Sequence, residues 1–151
     1  MTRNTRAPIA SERGAALIEA AFTIPLLLLV AVSIFEFGRA FETWQVMTNA
    51  AREGARVAVL ANSATAAIEA RVKQYLEIGA LEHLDAVAVS VERDVSISIG
   101  ATTATASRVT VTYPFSFMVL QPVASLVVHG TTLGQPLTLT TSALMRNESQ
   151  F

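Results

Sequence analysis

The chain has no cysteine, which removes disulfide frameworks, thiolate zinc sites and cysteine nucleophiles together. Charge is also scarce: Asp, Glu, Lys and Arg make up 15% of the 151 residues, against 52% hydrophobic residues. That balance is too apolar for a disordered chain and too charge-poor for an ordinary soluble domain. The length admits one membrane segment and one small domain and excludes a second large one. No basic patch follows the first 14 residues, so nucleic-acid binding has no electrostatic footprint. The two histidines, His83 and His129, lie far apart, and neither has a carboxylate at the helical spacing that a metal site uses. Glu82 and Asp85 flank His83 beside a predicted helix end, where solvated polar residues are ordinary. With no G-x-S-x-G, phosphate-cradling loop or dinucleotide fingerprint, the expectation is a protein that is not an enzyme and holds neither metal nor cofactor.

What the chain does have is one long apolar run. From Ala15 to Phe35 the only ionisable side chain is Glu19. At 1.5 Å per residue the run reaches roughly 30 Å, the thickness of a bilayer's hydrocarbon core. It is too long for a secretory signal core and ends in Glu36-Phe37-Gly38-Arg39 rather than at a small-x-small cleavage site. Residues 1–14 carry Arg3, Arg6 and Arg13 against Glu12, a side-chain balance of +2 within a formal net charge of −1. By the positive-inside rule this end stays in the cytoplasm and the chain from about Glu36 lies outside, in the periplasm or beyond. Pro25 inside the span removes one helix hydrogen bond, which a membrane helix absorbs by local readjustment.

Gly14 and Glu19 sit at the mouth of this run. Singly each has a plain explanation: a glycine bounds a helix, and a carboxylate in the first turns suits the helix dipole. Together, a basic leader, Gly14, then Ala15-Ala16-Leu17-Ile18-Glu19 and an unbroken apolar run resemble the processing signature of type IV pilin precursors. That resemblance implies cleavage between Gly14 and Ala15 by a membrane prepilin peptidase, with Glu19 as the fifth mature residue. An ionised carboxylate in hydrocarbon costs several kcal/mol without a partner. The amine freed at Ala15, in the same chain or a neighbour, is such a partner, so Glu19 is expected to set the register of packed helices.

Beyond the span, Phe37, Phe41, Trp44, Thr48, Ala51, Ala55, Ala58 and Val59 alternate at spacings of four and three, which predicts an amphipathic helix continuing to about residue 60. The expected use of that stripe is packing on the protein's own domain, with a partner helix second. Glu36, Gly38 and Arg39, followed by A-A-R-E-G-A-R with Ala51, Arg52, Glu53, Gly54, Ala55 and Arg56, resemble the TadE-like family of minor pilins, or pseudopilins, from tight-adherence (Tad) pili. Ser142-Ala143-Leu144-Met145-Arg146 is similar to the family's closing segment. Read alone, Arg52, Glu53 and Arg56 form a solvated face on which Glu53 pairs easily with only one arginine. Gly54 needs a reason such as close backbone approach, since glycine costs about 0.5–1 kcal/mol in a helix.

The remainder predicts a small α+β domain. A short helix over 64–78 places Ile68, Val72, Tyr75 and Leu76 on one side, and Gly79 helps end it. Alternation at Val87, Val89 and Val91, and again at Val95, Ile97 and Ile99, predicts two strands joined by a turn at Glu92-Arg93-Asp94. Residues 101–107, ATTATAS, read as a mobile connection. A third strand at Arg108–Tyr113 stops at Pro114, and a last one runs from Pro136 to Leu144. Residues 115–130 are apolar but irregular, suited to covering the sheet or touching the membrane surface. The expected organisation is a cytoplasmic leader over 1–14, a transmembrane helix over 15–35, its periplasmic extension over 36–61 and an α+β domain over 62–151. The resemblance implies an inner-membrane Tad pilus protein working with other Tad pilins and the assembly platform. The alternative is an uncleaved single-span binding or accessory protein. A membrane-tethered hydrolase has no supporting constellation, and activity lost on His83→Ala would be needed to revive it.

Overall fold

The structure is a computed structural model that describes residues 10–60, 63–100 and 102–147, with side chains from residue 14 onward. Of the leader, Arg3 and Arg6 and the side chains of Glu12 and Arg13 therefore lie outside the described residues. The helix α1 spans Ala10–Ala58, 49 residues, and passes through Pro25. It thus begins five residues before the expected Ala15, so Gly14 is a helical residue here rather than a boundary. Ser33 donates its hydroxyl to the carbonyl of Leu29 at 2.7 Å, which lets a polar side chain ride in the apolar stretch without an unpaired group. The helix unwinds at Val59 and Leu60 through bonds back to Ala55 and Val57.

The second helix, α2, covers Thr65–Ile78 and buries Ile68, Val72 and Leu76. Tyr75, expected with them, is only half-buried. A short 3-10 turn at Leu84–Ala86 leads to three strands, β1 at Ala88–Ile99, β2 at Thr102–Phe115 and β3 at Leu137–Arg146, with helix α3 at Leu120–Val127 between the last two. The strands form an antiparallel meander in the order β1-β2-β3. The α+β class read from the sequence is thus the observed one.

Three local readings are corrected. Glu92-Arg93-Asp94 is not a turn between strands but a bulge within β1, where the register with β2 shifts between Glu92 and Val95 and Asp94 takes φ 58°. The amide of Asn147 supports it by donating to Asp94 at 3.2 Å, while its own Oδ1 accepts from the buried Ser107 hydroxyl at 2.7 Å. Of the expected connection Ala101 lies outside the described residues, and residues 102–107 are not loose but the first half of β2, with Thr102 to Ala106 paired to Ile99 back to Val95. Threonine is β-branched and fits a pleated surface, so this stretch has the propensity of a strand without its usual apolar alternation. β2 also runs through Pro114 to Phe115. Pairing with β1 ends at Thr112, so Pro114 has a strand neighbour on one side only, where a missing N–H is tolerated.

The molecule divides into two compact units that do not follow the order of the chain. One contains the described residues up to Glu36 together with Phe117–Gln135; the other contains Phe37–Ser116 and the chain from Pro136. In the second unit, Met47, Ala50, Ala51, Ala55 and Ala58 of α1 are buried, as are Val109, Val111, Tyr113 and Phe115 along one face of β2. Gly54 explains the close fit. A Cβ there would stand 2.5 Å from Val72 Cγ2 and 3.2 Å from Val109 Cγ1, so α1, α2 and β2 converge on a residue without a side chain. Thr48 joins the same core to β3 through the Thr141 hydroxyl, 3.1 Å away. The Tyr113 hydroxyl donates to the carbonyl of Glu82 at 3.0 Å, and burial, reinforced by the nearby Glu82 charge, raises its pKa.

Candidate functional site

The site residues expected from the sequence lie along α1, and its two halves present different surfaces. From Gly14 to Phe35 large apolar side chains point outward, with Leu17 at 72% and Phe22 at 77% of full exposure. A helix this long and this apolar, carrying its most hydropathic window unburied, meets the length and composition required to cross a membrane. Burying such a surface in water-excluded surroundings is favourable by about 25 cal/mol per Å², and the protein itself buries almost none of it.

Gly14 has no heavy atom within 4 Å of where a Cβ would stand, so no packing within the chain asks for glycine there. Ala15 and Glu19 are exposed and one helical turn apart, on the same face. Among the described residues no hydrogen bond or ion pair engages Glu19. The arrangement expected from sequence is therefore laid out along one helix face, and its partner amine is not supplied by another side chain of the described residues.

Glu36 has a role that the sequence reading missed. It is fully buried, and its Oε1 accepts the backbone N–H groups of Met118 at 2.9 Å and Val119 at 2.6 Å. These amides precede α3 and have no intrahelical partner of their own, so the carboxylate closes the helix start where negative charge is favoured. In the other unit, Arg39 donates to the carbonyl of Ser116 at 3.2 Å and lays its guanidinium over the Phe115 ring, 5.1 Å from the centroid, a cation–π arrangement. The Glu-x-Gly-Arg element thus supplies one charged group to each unit, Glu36 to Met118 and Val119 in the first and Arg39 to Phe115 and Ser116 in the second. A charged pair three residues apart at the end of an apolar run was a visible signal, but nothing in the sequence said which distant backbone it would hold. Gly38 between them is exposed and has open space around it; nothing in the structure explains it.

The A-A-R-E-G-A-R element is architectural. Ala51, Gly54 and Ala55 face inward, while Arg52 and Arg56 are exposed. Of its two neighbouring arginines Glu53 engages only Arg56, and it finds a second in Arg71 of α2. Its Oε1 receives Arg71 Nη2 of α2 at 2.7 Å and Arg71 Nε at 3.1 Å, and its Oε2 receives Arg56 Nη1 at 3.2 Å. The hydrogen bonds from Arg71, with the field of both arginines, hold the Glu53 pKa below its usual value. The expected stripe is only partly a core face: Ala51, Ala55 and Ala58 are buried, whereas Phe37, Phe41 and Trp44 are exposed, with the rings of Phe41 and Trp44 stacked 6.1 Å apart. The inward line instead runs through Ala40, Met47 and Ala50. Exposed aromatic side chains just past an apolar run are the composition found where membrane helices meet water.

Among the described residues no three His, Asp or Glu side chains gather in a way that suits a metal ion. His83 and His129 stay exposed. Comparison with curated proteins and with solved structures returns no match. The family comparison does: residues 14–56, from the glycine before the apolar run to the last arginine of A-A-R-E-G-A-R, match the family described as TadE-like protein.

Proposed function

We propose that this chain is a TadE-like minor pilin or pseudopilin of a tight-adherence pilus, anchored by α1, processed after Gly14 and working in pilus assembly and surface adhesion. The observation that carries the reading is the family match over 14–56, which begins at Gly14 and takes in the unburied apolar half of α1, Glu19 and the buried small-residue face. In this reading the N-terminus is cytoplasmic, the sheet unit is periplasmic, and incorporation into a filament brings the exposed helix among sister helices. Its partners are a prepilin peptidase, the other Tad pilins and the inner-membrane assembly platform.

Gly14 and Ala15 lie within α1, so a peptidase needs the first turns to open. Glycine is the residue that makes this easy, weakening a helix by about 1 kcal/mol relative to alanine, near a terminus, where helices in general fray. Cleavage removes the arginines and leaves an amine at Ala15, one turn from Glu19, which then has a charge partner in lipid. Mass analysis of the N-terminus after co-expression with the matching peptidase tests the reading: it expects a chain beginning at Ala15. A retained leader favours the uncleaved single-span accessory protein instead. Glu19→Ala is expected to insert normally yet to lose co-purification with pilus components; undiminished recovery removes the role given to Glu19.

A further inference from the structure

The segment Phe117–Gln135 is not part of the compact unit that contains the strands. It shares a compact unit with the apolar half of α1, and its start is tied to Glu36, the first ionisable residue after the apolar run. Within it, α3 buries Leu120 and Ala124, while Leu126 is exposed to 76% and Met118 to 71%. Val128 and Leu133 are exposed too. The return loop is closely built: Gly134 has φ +81°, and a Cβ there would run into the backbone of Gln121. These apolar side chains are therefore displayed by a folded element rather than by a loose loop.

We infer that this segment is a membrane-surface element, with α3 lying in the interfacial zone of the lipid bilayer beside α1 and with Leu126 and Met118 reaching the acyl chains. Three observations single out lipid as the occupant. Glu36 marks the level at which the spanning run ends, and its carboxylate holds the amides of Met118 and Val119 there, so the exposed apolar side chains start at the membrane boundary. No Asp, Glu, Lys or Arg occurs anywhere between Arg108 and Arg146, so no carboxylate, ammonium or guanidinium on the segment opposes entry into the headgroup region or calls for an anionic lipid. Finally, α3 is eight residues long, far too short to span. Surface-lying helices bury one face by roughly 5–10 Å, and a short one suffices when it is tethered to an integral helix, because its effective concentration at the surface is already high.

The inference rests on the membrane-anchored part of the proposed function and not on pilus assembly. Since the chain has no cysteine, Leu126→Cys in the full chain takes a single polarity-sensitive fluorophore, with Ser98→Cys on the exposed face of β1 as the aqueous reference. Both are reconstituted into phosphatidylcholine vesicles. The expected result at position 126 is blue-shifted emission, quenched several-fold more by shallow nitroxide-bearing lipids than by iodide in the buffer, and unchanged when anionic lipid is added. Position 98 shows the reverse. Vesicle flotation separates the two readings. A chain that does not float with the vesicles overturns both. A chain that floats but is quenched at 126 only by iodide overturns the surface element alone. So does a 126 label reached by neither quencher in chains that form disulfide-linked dimers when left unlabelled, because a second copy then covers the face.

Discussion

The two halves of α1 belong to one uninterrupted helix yet solve opposite problems. Residues 14–35 carry Leu, Ile, Phe and Val outward and bury almost nothing, whereas residues 47–58 turn Met47, Ala50, Ala51, Gly54, Ala55 and Ala58 inward against α2 and β2. The contrast shows what side-chain size means in each setting. Large apolar groups displayed all round suit a lipid solvent, where helices meet through packing and bound charges rather than through expulsion of water. Small groups on one side suit a protein solvent, where closeness of approach sets how much surface two backbones exclude from water. Glu36 stands at the changeover.

The sharpest way to break the contrast is to enlarge the small face. Gly54→Val places branched atoms where Val72 and Val109 already lie, and overpacking of this kind costs about 3 kcal/mol. Denaturant unfolding of the full chain in detergent, followed by the circular dichroism of the sheet, should show the midpoint fall accordingly; an unchanged midpoint would mean that the helices are not tightly apposed there. Glu36→Ala comes next. It strips two backbone donors of a charged acceptor, worth about 2 kcal/mol, and hydrogen exchange at the amides of Met118 and Val119 should accelerate while the sheet amides hold.

Glu53→Gln is a smaller change, about 0.5 kcal/mol, because partly exposed ion pairs contribute little. Its pH dependence is more telling than its size. Since the folded pKa of Glu53 lies below the unfolded value, its contribution is complete above the ordinary carboxylate range and is lost as pH falls through the lowered folded value. The difference in stability between wild type and Glu53→Gln should therefore be present at neutral pH and disappear on the acid side. Smallest of all is Phe41→Ser. Its ring is 59% exposed, so sheet stability should stay within about 0.5 kcal/mol of wild type, while partition into vesicles weakens. A large loss of sheet stability would show that the aromatic side belongs to the domain core after all.

Periodicity made much of this legible. The apolar run, the 64–78 helix and the alternation of Val87 to Ile99 are each a pattern that one residue type repeats at one spacing. Close approach at Gly54 was also readable, since a glycine inside a helix needs a cause. What escaped depended on partners far along the chain. Glu92-Arg93-Asp94 reads as a turn because it is a polar break between two alternating runs, and only the continued pairing of Val95 with Ala106 makes it a bulge. ATTATAS lacked apolar alternation because Thr103 and Thr105 face outward from a strand whose inner residues there are as small as Ala104 and Ala106. The stripe through Phe37, Phe41 and Trp44 followed helical spacing faithfully, but spacing cannot say which of two adjacent faces the domain will choose. Glu36 was hardest, because its role exists only once residues 118 and 119 have arrived.

That last point has a consequence for biosynthesis. The acceptor and its donors are separated by 82 and 83 residues, so during vectorial synthesis Glu36 emerges long before the amides that will satisfy it. Until then those two bonds are missing, and the apolar helix has no folded strap at its end. Closure waits for most of the polypeptide, which makes this pair of bonds a built-in check on completeness: a product that stops anywhere before Met118 lacks both of them.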